Sequence, residues 1–210
     1  MKKTFITSSC ILFLLASSAQ KTTLGITAGT TISNFKSKAG GVSASLDSKV
    51  GFAGGLIANI SAGQHFIVQS GLQLVQKGTK YTQSEGGSTL KSSTNTNWLE
   101  VPLNFLYSAN GFFIGAGPSF TFGVSGKSKI EFNGQKTEEK MKFGNSDNDD
   151  IKGFDFGANV TTGYQLKNGL LISANFNQGF SNLIPGGADN SSIKSHYFGI
   201  HLGYMMKGKK

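Results

Sequence analysis

Residues 154–166 read FDFGANVTTGYQL, and apolar and polar side chains alternate along almost the whole segment. One face carries Phe154, Phe156, Ala158, Val160, Tyr164 and Leu166. The other face carries Asp155, Gly157, Asn159, Thr161, Gly163 and Gln165. Because successive side chains of a β-strand point to opposite faces of its sheet, this alternation predicts a strand with one apolar and one polar face.

The same alternation recurs along the rest of the chain, and it is weakest where Ile67 and Val75 interrupt a polar face. The further predicted strands are 24–34, 50–61, 66–77, 98–107, 112–125, 170–181 and 196–206. Two hairpin turns are predicted at Asn110-Gly111 and Asn168-Gly169, because Asn-Gly favours two-residue turns between antiparallel strands. The pattern predicts an all-β chain of eight antiparallel strands.

The connections between these strands alternate in length. Short ones lie at 62–65, 108–111 and 167–169, and long polar ones at 35–49, 78–97, 126–153 and 182–195. Membrane barrels are built with short periplasmic turns and long outer loops. The alternation therefore predicts an eight-stranded, up-and-down transmembrane β-barrel with both chain termini in the periplasm.

The two faces of the strands suit a barrel in lipid. The polar face consists largely of Gly, Ser, Thr, Asn and Gln, which a dry soluble core cannot use, whereas a polar lumen can. Aromatic residues are predicted at two interfacial levels. One level has Phe66, Tyr107, Phe112, Tyr164 and Tyr204, and the other has Phe52, Trp98, Phe122, Phe154, Phe180 and Tyr197.

The first residues have the form of an export signal. Lys2 and Lys3 precede an apolar core at 10–16, and Ser17-Ser18-Ala19 supplies small residues for cleavage. We therefore expect residues 1–19 to be removed and residues 20–210 to form the barrel domain in the outer membrane. Cys10 would leave with the signal, so the mature chain has no thiol for a disulfide or a metal site.

All 20 basic residues are lysines, and the formal net charge is +9. Arginine is the preferred reader of phosphates and bases, so its absence argues against a nucleic-acid partner. Four lysines near predicted outer strand ends are expected to contact lipopolysaccharide: Lys49, Lys80, Lys127 and Lys152. The alternative is that these lysines serve only the solubility of long loops.

Several stretches resemble the PorT-type outer-membrane β-barrel family of Bacteroidetes. They are 98–105 (WLEVPLNF), 113–118 (FIGAGP), 155–159 (DFGAN), 163–166 (GYQL) and 168–170 (NGL). The resemblance implies a small barrel similar in plan to OmpX and to the OmpA membrane domain. The founding member is linked to a secretion system, but most relatives have no assigned role, so no specific role follows.

Few residues have the pattern of a chemical site. The spacing of His65, His196 and His201 does not indicate a metal site, and no cofactor is expected. Ser195-His196 is the nearest approach to a hydrolase pair. In the predicted lumen, Lys77 and Glu100 have the same inward parity, which predicts an ion pair with Asp155 as a second partner, because a lone buried charge is costly.

The sequence therefore favours a barrel without catalysis, with a plugged polar lumen and a structural or interaction role at the cell envelope. Eight strands enclose an interior that side chains can fill, so no porin-like conductance is expected. The expected partners are outer-membrane lipids, lipopolysaccharide, periplasmic chaperones, the barrel-assembly machinery and an extracellular partner of the four long loops. The alternatives are a lipid-modifying hydrolase at the outer rim and a soluble, lipocalin-like ligand-binding barrel.

Overall fold

The computed structural model describes residues 22–40, 42–187 and 191–206, so the predicted signal peptide of residues 1–19 lies outside the described residues. In this part of the chain there are ten strands. They are β1 (Thr22–Ala39), β2 (Val42–Ser45), β3 (Asp47–Ser61), β4 (Phe66–Glu85), β5 (Ser88–Ala109), β6 (Phe112–Phe132), β7 (Gln135–Met141), β8 (Phe154–Gln165), β9 (Leu170–Gly179) and β10 (Ser191–Met205). No helix among these residues is long and apolar enough to cross a membrane.

Eight of the ten described strands form a closed antiparallel ring, which confirms the predicted fold class. The order is β1, β3, β4, β5, β6, β8, β9 and β10, and each strand pairs with the next. The ring closes where β10 pairs with β1, from Gly25–Met205 to Ala39–Ser191. The short strands β2 and β7 pair with the ends of β1 and β6. A closed ring leaves no unpaired edge, which is what hydrocarbon surroundings require.

Short turns connect the strands at one end of the ring, here called the turn end, and the long connections lie at the hairpin end. Asn110 (φ 52°) and Gly111 (φ 87°) form the predicted two-residue turn, in which both central residues are left-handed. The second Asn-Gly differs from the prediction. The connection there has three residues: Leu166 N donates to Leu170 O at 2.7 Å across the turn, and Gly169 is left-handed at φ 98°.

Three of the predicted long loops contain β-hairpins. In 35–49, β1 and β2 pair from Lys36–Ser45 to Ala39–Val42. β4 and β5 stay paired as far as Glu85–Ser88, around Gly86-Gly87 (φ 57° and 83°). β6 and β7 pair around Asn133-Gly134 (φ 48° and 87°). Beyond the ring, β4, β5, β6 and β7 thus form a four-stranded sheet, which we call the projecting sheet. It comprises 78–85, 88–97, 126–132 and 135–141.

The outside of the ring is apolar. Phe52 is 69% exposed and Leu202 is 66% exposed, and most other outward side chains of the ring are also large and apolar. The aromatics of the turn-end level are exposed on this surface as predicted, as are Phe52, Phe122, Phe154 and Phe180 at the other level. A surface of this composition is suited to lipid rather than water.

Trp98 and Tyr197 are exceptions, and placing them in the aromatic level was wrong. Trp98 is 1% exposed and Tyr197 is 0% exposed, because both point into the ring. Their strand parity explains this: Trp98 has the parity of the inward Glu100, and Tyr197 that of the inward His201. A position near a strand end thus gives the level of an aromatic side chain but not the face on which it lies.

The interior has three layers, because apolar clusters lie on either side of the predicted polar lumen. At the turn end, an apolar cluster consists of Ile57, Leu106, Phe113, Leu171 and Met205, with Ile67 packed against it. A polar layer follows. At the hairpin end, a second apolar cluster consists of Phe35, Trp98, Ile151 and Leu183. Val75, the other residue that interrupted a polar face, packs with Ala53 and Tyr197.

Candidate functional site: the closed lumen and the projecting sheet

A chain of side-chain amides crosses the polar layer. Gln69 Nε2 donates to Asn59 Oδ1 at 3.0 Å, and Asn104 Nδ2 donates to Gln69 Oε1 at 3.4 Å. Asn159 Nδ2 donates to Asn104 Oδ1 at 3.1 Å, and Asn175 Nδ2 donates to Asn159 Oδ1 at 3.4 Å. These residues come from five different strands, so the chain ties opposite walls of the barrel together. Buried amides that bond to one another in this way keep a small lumen closed and rigid.

Lys77 lies between the polar layer and the hairpin-end cluster and is 1% exposed. Its Nζ lies 5.6 Å from the ring centre of Trp98 and 5.3 Å from that of Tyr197. It donates to Ser195 Oγ at 3.3 Å, and Ser195 Oγ donates to Asp155 Oδ2 at 2.8 Å. The cation is therefore held by two aromatic faces and by a hydroxyl that is itself bonded to a carboxylate.

The three charged residues predicted to interact converge here, but not as a direct pair. Among the described residues, no contact within 4.0 Å joins Lys77 Nζ to a carboxylate oxygen of Glu100 or Asp155. Glu100 Oε1 instead accepts a hydrogen bond from Tyr197 Oη at 2.7 Å. Ser195 bridges Lys77 and Asp155 through its hydroxyl. The sequence did not predict the parts of Ser195 and Tyr197, although their inward parity is a signal for both.

Little open space remains in the polar layer. A cavity of about 30 Å³ lies beside Glu100, Asn104 and His201. It has room for about two water molecules. At this level the described side chains fill most of the lumen.

Two connecting segments, 142–153 and 181–187, cover the hairpin end of the ring. They bring Ile151 and Leu183, 6% and 0% exposed, against Trp98. Lys152 N donates to Leu183 O at 2.9 Å, which joins the two segments. Ser181 N donates to Asp155 Oδ1 at 3.3 Å, which joins the cover to the charged cluster below. We call these two segments the cover.

Acidic residues of the cover shape its backbone. Asp149 Oδ2 accepts from Ser146 N at 2.8 Å, and Asp150 Oδ2 accepts from Lys142 N at 2.7 Å. The part of the chain that the structure describes holds no group of three or more His, Cys, Asp or Glu side chains placed to bind a metal ion. The carboxylates of Asp149 and Asp150 instead hydrogen-bond to the backbone of the cover.

The projecting sheet has one strongly basic face. Directly paired residues of an antiparallel sheet point to the same face, so the register gives the composition of each row. The rows are Gly78, Asn95, Lys127 and Lys140, then Lys80, Ser93, Lys129 and Glu138, then Thr82, Lys91, Glu131 and Lys136. On β4 these positions have the parity of Leu74, which is exposed on the outside of the ring. We call this surface the lysine face.

Each glutamate of the lysine face is shared by two lysines. Glu138 contacts Lys127 and Lys129, both at 2.6 Å. Glu131 contacts Lys91 at 3.2 Å and Lys136 at 3.7 Å. Hydrogen bonds from Lys127 and then Lys129 lower the pKa of Glu138 to about 2. The face therefore keeps an excess of positive charge around carboxylates that are held ionised.

The sequence matches the outer membrane protein beta-barrel domain family over residues 18–185. The chain belongs to this family. No curated protein sequence matches it. Among solved structures it is similar to Ail, the attachment invasion locus protein of Yersinia pestis, in complex with the heparin analogue sucrose octasulfate. The identity is 15%, the TM-score is 0.48, and the match covers 89% of this chain and 99% of that one.

Two further solved barrels are similar to it. Neisserial surface protein A has 8% identity and a TM-score of 0.43, with 86% of this chain and 96% of that one covered. OprG of Pseudomonas aeruginosa has 12% identity and a TM-score of 0.40, with 90% and 98% covered. The chain is an outer-membrane β-barrel protein by its family, and its location is the outer membrane.

In this outer-membrane barrel, Ser195 and His196 do not form the pair that a hydrolase needs. Ser195 points into the lumen and donates to Asp155, as described above. His196 is the next residue of the same strand and has the opposite parity, and its buried Nδ1 has no hydrogen-bond partner among the described residues. The geometry brings Ser195 to Lys77 and Asp155 instead, beneath the cover.

Three of the four lysines predicted to contact lipopolysaccharide lie together in the barrel. Lys80 and Lys127 are on the lysine face, and Lys49 reaches it by donating to Ser93 Oγ at 2.5 Å. Lys152 lies apart from them, in the cover. Sequence reasoning missed Lys91, Lys129, Lys136 and Lys140 on the same face, because it treated their segments as irregular loops.

Proposed function

We propose that this protein is a barrel without catalysis, closed to solutes, which acts at the cell envelope by presenting the projecting sheet outside the cell. In this proposal an export signal is removed at its N-terminus, both termini are periplasmic, and the hairpin end is extracellular. The observation that carries the proposal is the contrast between a lumen sealed in three layers and a large ordered sheet beyond the ring.

The sealed lumen supports a role outside the barrel. An apolar cluster closes each end, and the amide chain fills the middle. Transport or lumenal catalysis would need a path through one of these layers. A soluble ligand-binding barrel needs an apolar cavity inside and a polar surface outside, whereas the outside here is apolar.

The projecting sheet supports an interaction role. Membrane insertion needs only the ring, yet β4, β5 and β6 continue well beyond it as paired strands. Ordered strands hold their side chains in fixed rows, which suits recognition better than irregular loops. The resemblance to PorT-type barrels remains a prediction for the subfamily, and a role in secretion does not follow from it.

The experiment tests whether each of two variants complements a strain from which the gene has been deleted. In the first, residues 80–93 and 129–138 are each replaced by Asn-Gly, which removes the sheet and keeps the ring. In the second, Ser195→Ala removes the hydroxyl that a hydrolase would use. Envelope function is read as resistance to detergent and exclusion of a hydrophobic dye, and folding as heat-modifiable gel migration.

We expect the folded sheet-deletion variant to behave like the deletion strain, and the Ser195→Ala variant to complement it fully. The opposite result, in which Ser195→Ala folds but fails to complement while the sheet-deletion variant succeeds, would assign the function to lumenal chemistry and overturn the proposal.

A further inference from the structure

The lysine face carries more positive than negative charge. Lysines 49, 80, 91, 127, 129, 136 and 140 lie on or against it, and the carboxylates beside them are Glu131, Glu138 and Asp47, which is paired with Lys80 in register. Among the described residues, Lys80 makes no ion pair within 4.0 Å. Each glutamate is shared by two lysines, so the ion pairs do not neutralise the face.

The position of the face limits what it can meet. Along β4 it begins where the lipid-facing residues end, since Gly78 and Lys80 follow Leu74 and Gln76 on the same side of the strand. The face therefore rises from the outer wall of the barrel directly above the surrounding lipid. A molecule that stands beside the barrel in the outer leaflet would have its headgroup against these rows.

The geometry of the face suits several phosphates on a sugar framework. Rows two residues apart on a strand are separated by about 7 Å, and neighbouring strands by about 5 Å. A cleft of about 370 Å³ lies between the two hairpins of this sheet. Four lysines line it together with two glutamates and two hydroxyl-bearing residues: Lys80, Lys91, Lys129, Lys136, Glu131, Glu138, Thr82 and Ser93. Its size falls in the range of small-ligand sites, roughly 300–1,000 Å³.

We propose that the lysine face binds the phosphorylated sugars of the outer-leaflet glycolipid, lipopolysaccharide, with the cleft holding one sugar phosphate. This inference names the partner of the projecting sheet and rests on the proposed function. The glycolipid is the occupant because the lysines match its phosphates in charge and because the face adjoins the lipid. Binding does not require the protein to enclose a phosphate completely, because the rows of the lysine face present several ammonium groups to one membrane-anchored headgroup.

The test uses the full mature barrel, folded in a nonionic detergent and titrated with purified lipopolysaccharide. The variant replaces Lys80, Lys91, Lys129 and Lys136 with Gln. Its matched control replaces Lys36, Lys38, Lys142 and Lys194 with Gln, which removes the same charge from exposed positions outside the sheet. A third variant replaces the four cleft lysines with Arg and keeps their charge.

We expect the Gln variant to lose at least about 25-fold in affinity. The cleft has four lysines and two glutamates, so two lysine charges are not balanced, and each of these contributes about fivefold in affinity. The control and the Arg variant should stay within about threefold of the unsubstituted protein. Unsubstituted protein should lose affinity for enzymatically dephosphorylated lipopolysaccharide to the same extent. This last comparison needs no substitution, so it tests the proposal even if the Gln variant fails to fold.

Two results would overturn the inference. The first is a folded Gln variant with unchanged affinity for lipopolysaccharide. The second is equally tight binding of soluble inositol hexakisphosphate, which would assign the face to soluble polyanions instead of an anchored lipid. If either occurs while deletion of the projecting sheet still abolishes envelope function, only the partner is wrong and the proposed function stands.

Discussion

At the scale of single residues, the charged cluster beneath the cover is the least expected feature of a narrow barrel. Lys77, Glu100 and Asp155 are all at most 2% exposed, and their contacts run through Ser195 and Tyr197. Removing one member of a buried charged group leaves its partners unpaired, which destabilises far more than the group as a whole stabilises. The cluster therefore acts as a unit.

The first prediction concerns this coupling. Lys77→Met should destabilise the barrel by about 3–5 kcal/mol, because two carboxylates would remain buried without a cation. Adding Glu100→Gln should recover part of that loss and give a coupling energy of at least about 1 kcal/mol. Urea unfolding in detergent, followed by the fluorescence of the single tryptophan, measures both. Strictly additive effects would show that the charges do not interact.

The second prediction uses Trp98 as a reporter of its own position. Because its ring lies inside the barrel, brominated lipid chains should quench its fluorescence only weakly. The matched control is Phe122→Trp in a Trp98→Phe background, which places the indole on the exposed outer wall, where strong quenching is expected. Equal quenching of the two proteins would show that the Trp98 side chain contacts lipid and does not lie inside the barrel.

The third prediction is the titration of Glu138. Its folded pKa of about 2 lies below the ordinary value of 4.5, so its ion pairs stabilise the projecting sheet above pH 4.5. That stabilisation is lost as the pH falls towards 2. The chemical shift of the Glu138 carboxyl carbon should therefore change at a lower pH than that of an ordinary glutamate. Replacing Lys127 and Lys129 with Gln, or adding salt, should raise the pKa; a pKa near 4.5 in the unsubstituted protein would exclude the ion pairs.

At the scale of the elements, the alternation of side chains predicted the ring strands well, but it did not predict how far the strands extend into the long connections. Period-two alternation gave the eight ring strands because one face contacts lipid and the other the lumen. The projecting strands have no such apolar and polar contrast, because serines and threonines occupy both faces and all the lysines lie on one of them. Their signal was in the turns, at Gly86-Gly87 and Asn133-Gly134, which have the composition of two-residue hairpins.

The candidate site was predictable in part for the same reason. Inward parity placed Lys77, Glu100 and Asp155 in one lumen, because parity fixes the face of every strand residue. Parity does not give the position of a side chain along the barrel axis relative to side chains of other strands, so it could not predict that Ser195 bridges Lys77 and Asp155. The lysine face depends on the register between four strands, which the sequence shows only after the hairpins are recognised.

The fourth prediction separates the projecting sheet from the ring. Gly134→Val forces a branched residue into a left-handed conformation (φ 87°), which costs about 1–3 kcal/mol. The loss should stay local: trypsin should cleave the lysine-rich 126–141 segment faster, while the folded form keeps its gel mobility.

The matched variant is Gly111→Val at the turn end, where an added Cβ would lie 2.6 Å from Gln165 O and 3.1 Å from the Tyr164 ring. This variant should impair folding of the ring itself. Unchanged trypsin cleavage in Gly134→Val would mean that the β6–β7 hairpin does not depend on its turn.

At the scale of the whole molecule, the barrel divides into parts with separate physical roles. The apolar wall faces lipid, the layered interior fills the ring with side chains, and the projecting sheet is an ordered surface beyond the ring. An eight-stranded ring has an interior just wide enough for side chains, so function at the surface is the natural use of this architecture.

The last prediction is the absence of porin-like conductance, and it tests all the interior layers at once. An ion would have to displace the hairpin-end cluster, the amide chain and the turn-end cluster in succession. Removing one layer should therefore not open a pore: Trp98→Ala with Leu183→Ala clears the hairpin end but leaves the other two closed. Planar bilayers containing either protein should show no large, stable single-channel steps, with a general porin as the positive control. Such steps from the unsubstituted barrel would mean that the layers separate in the membrane, whereas steps from the double variant alone would show that the hairpin-end cluster by itself keeps the lumen shut.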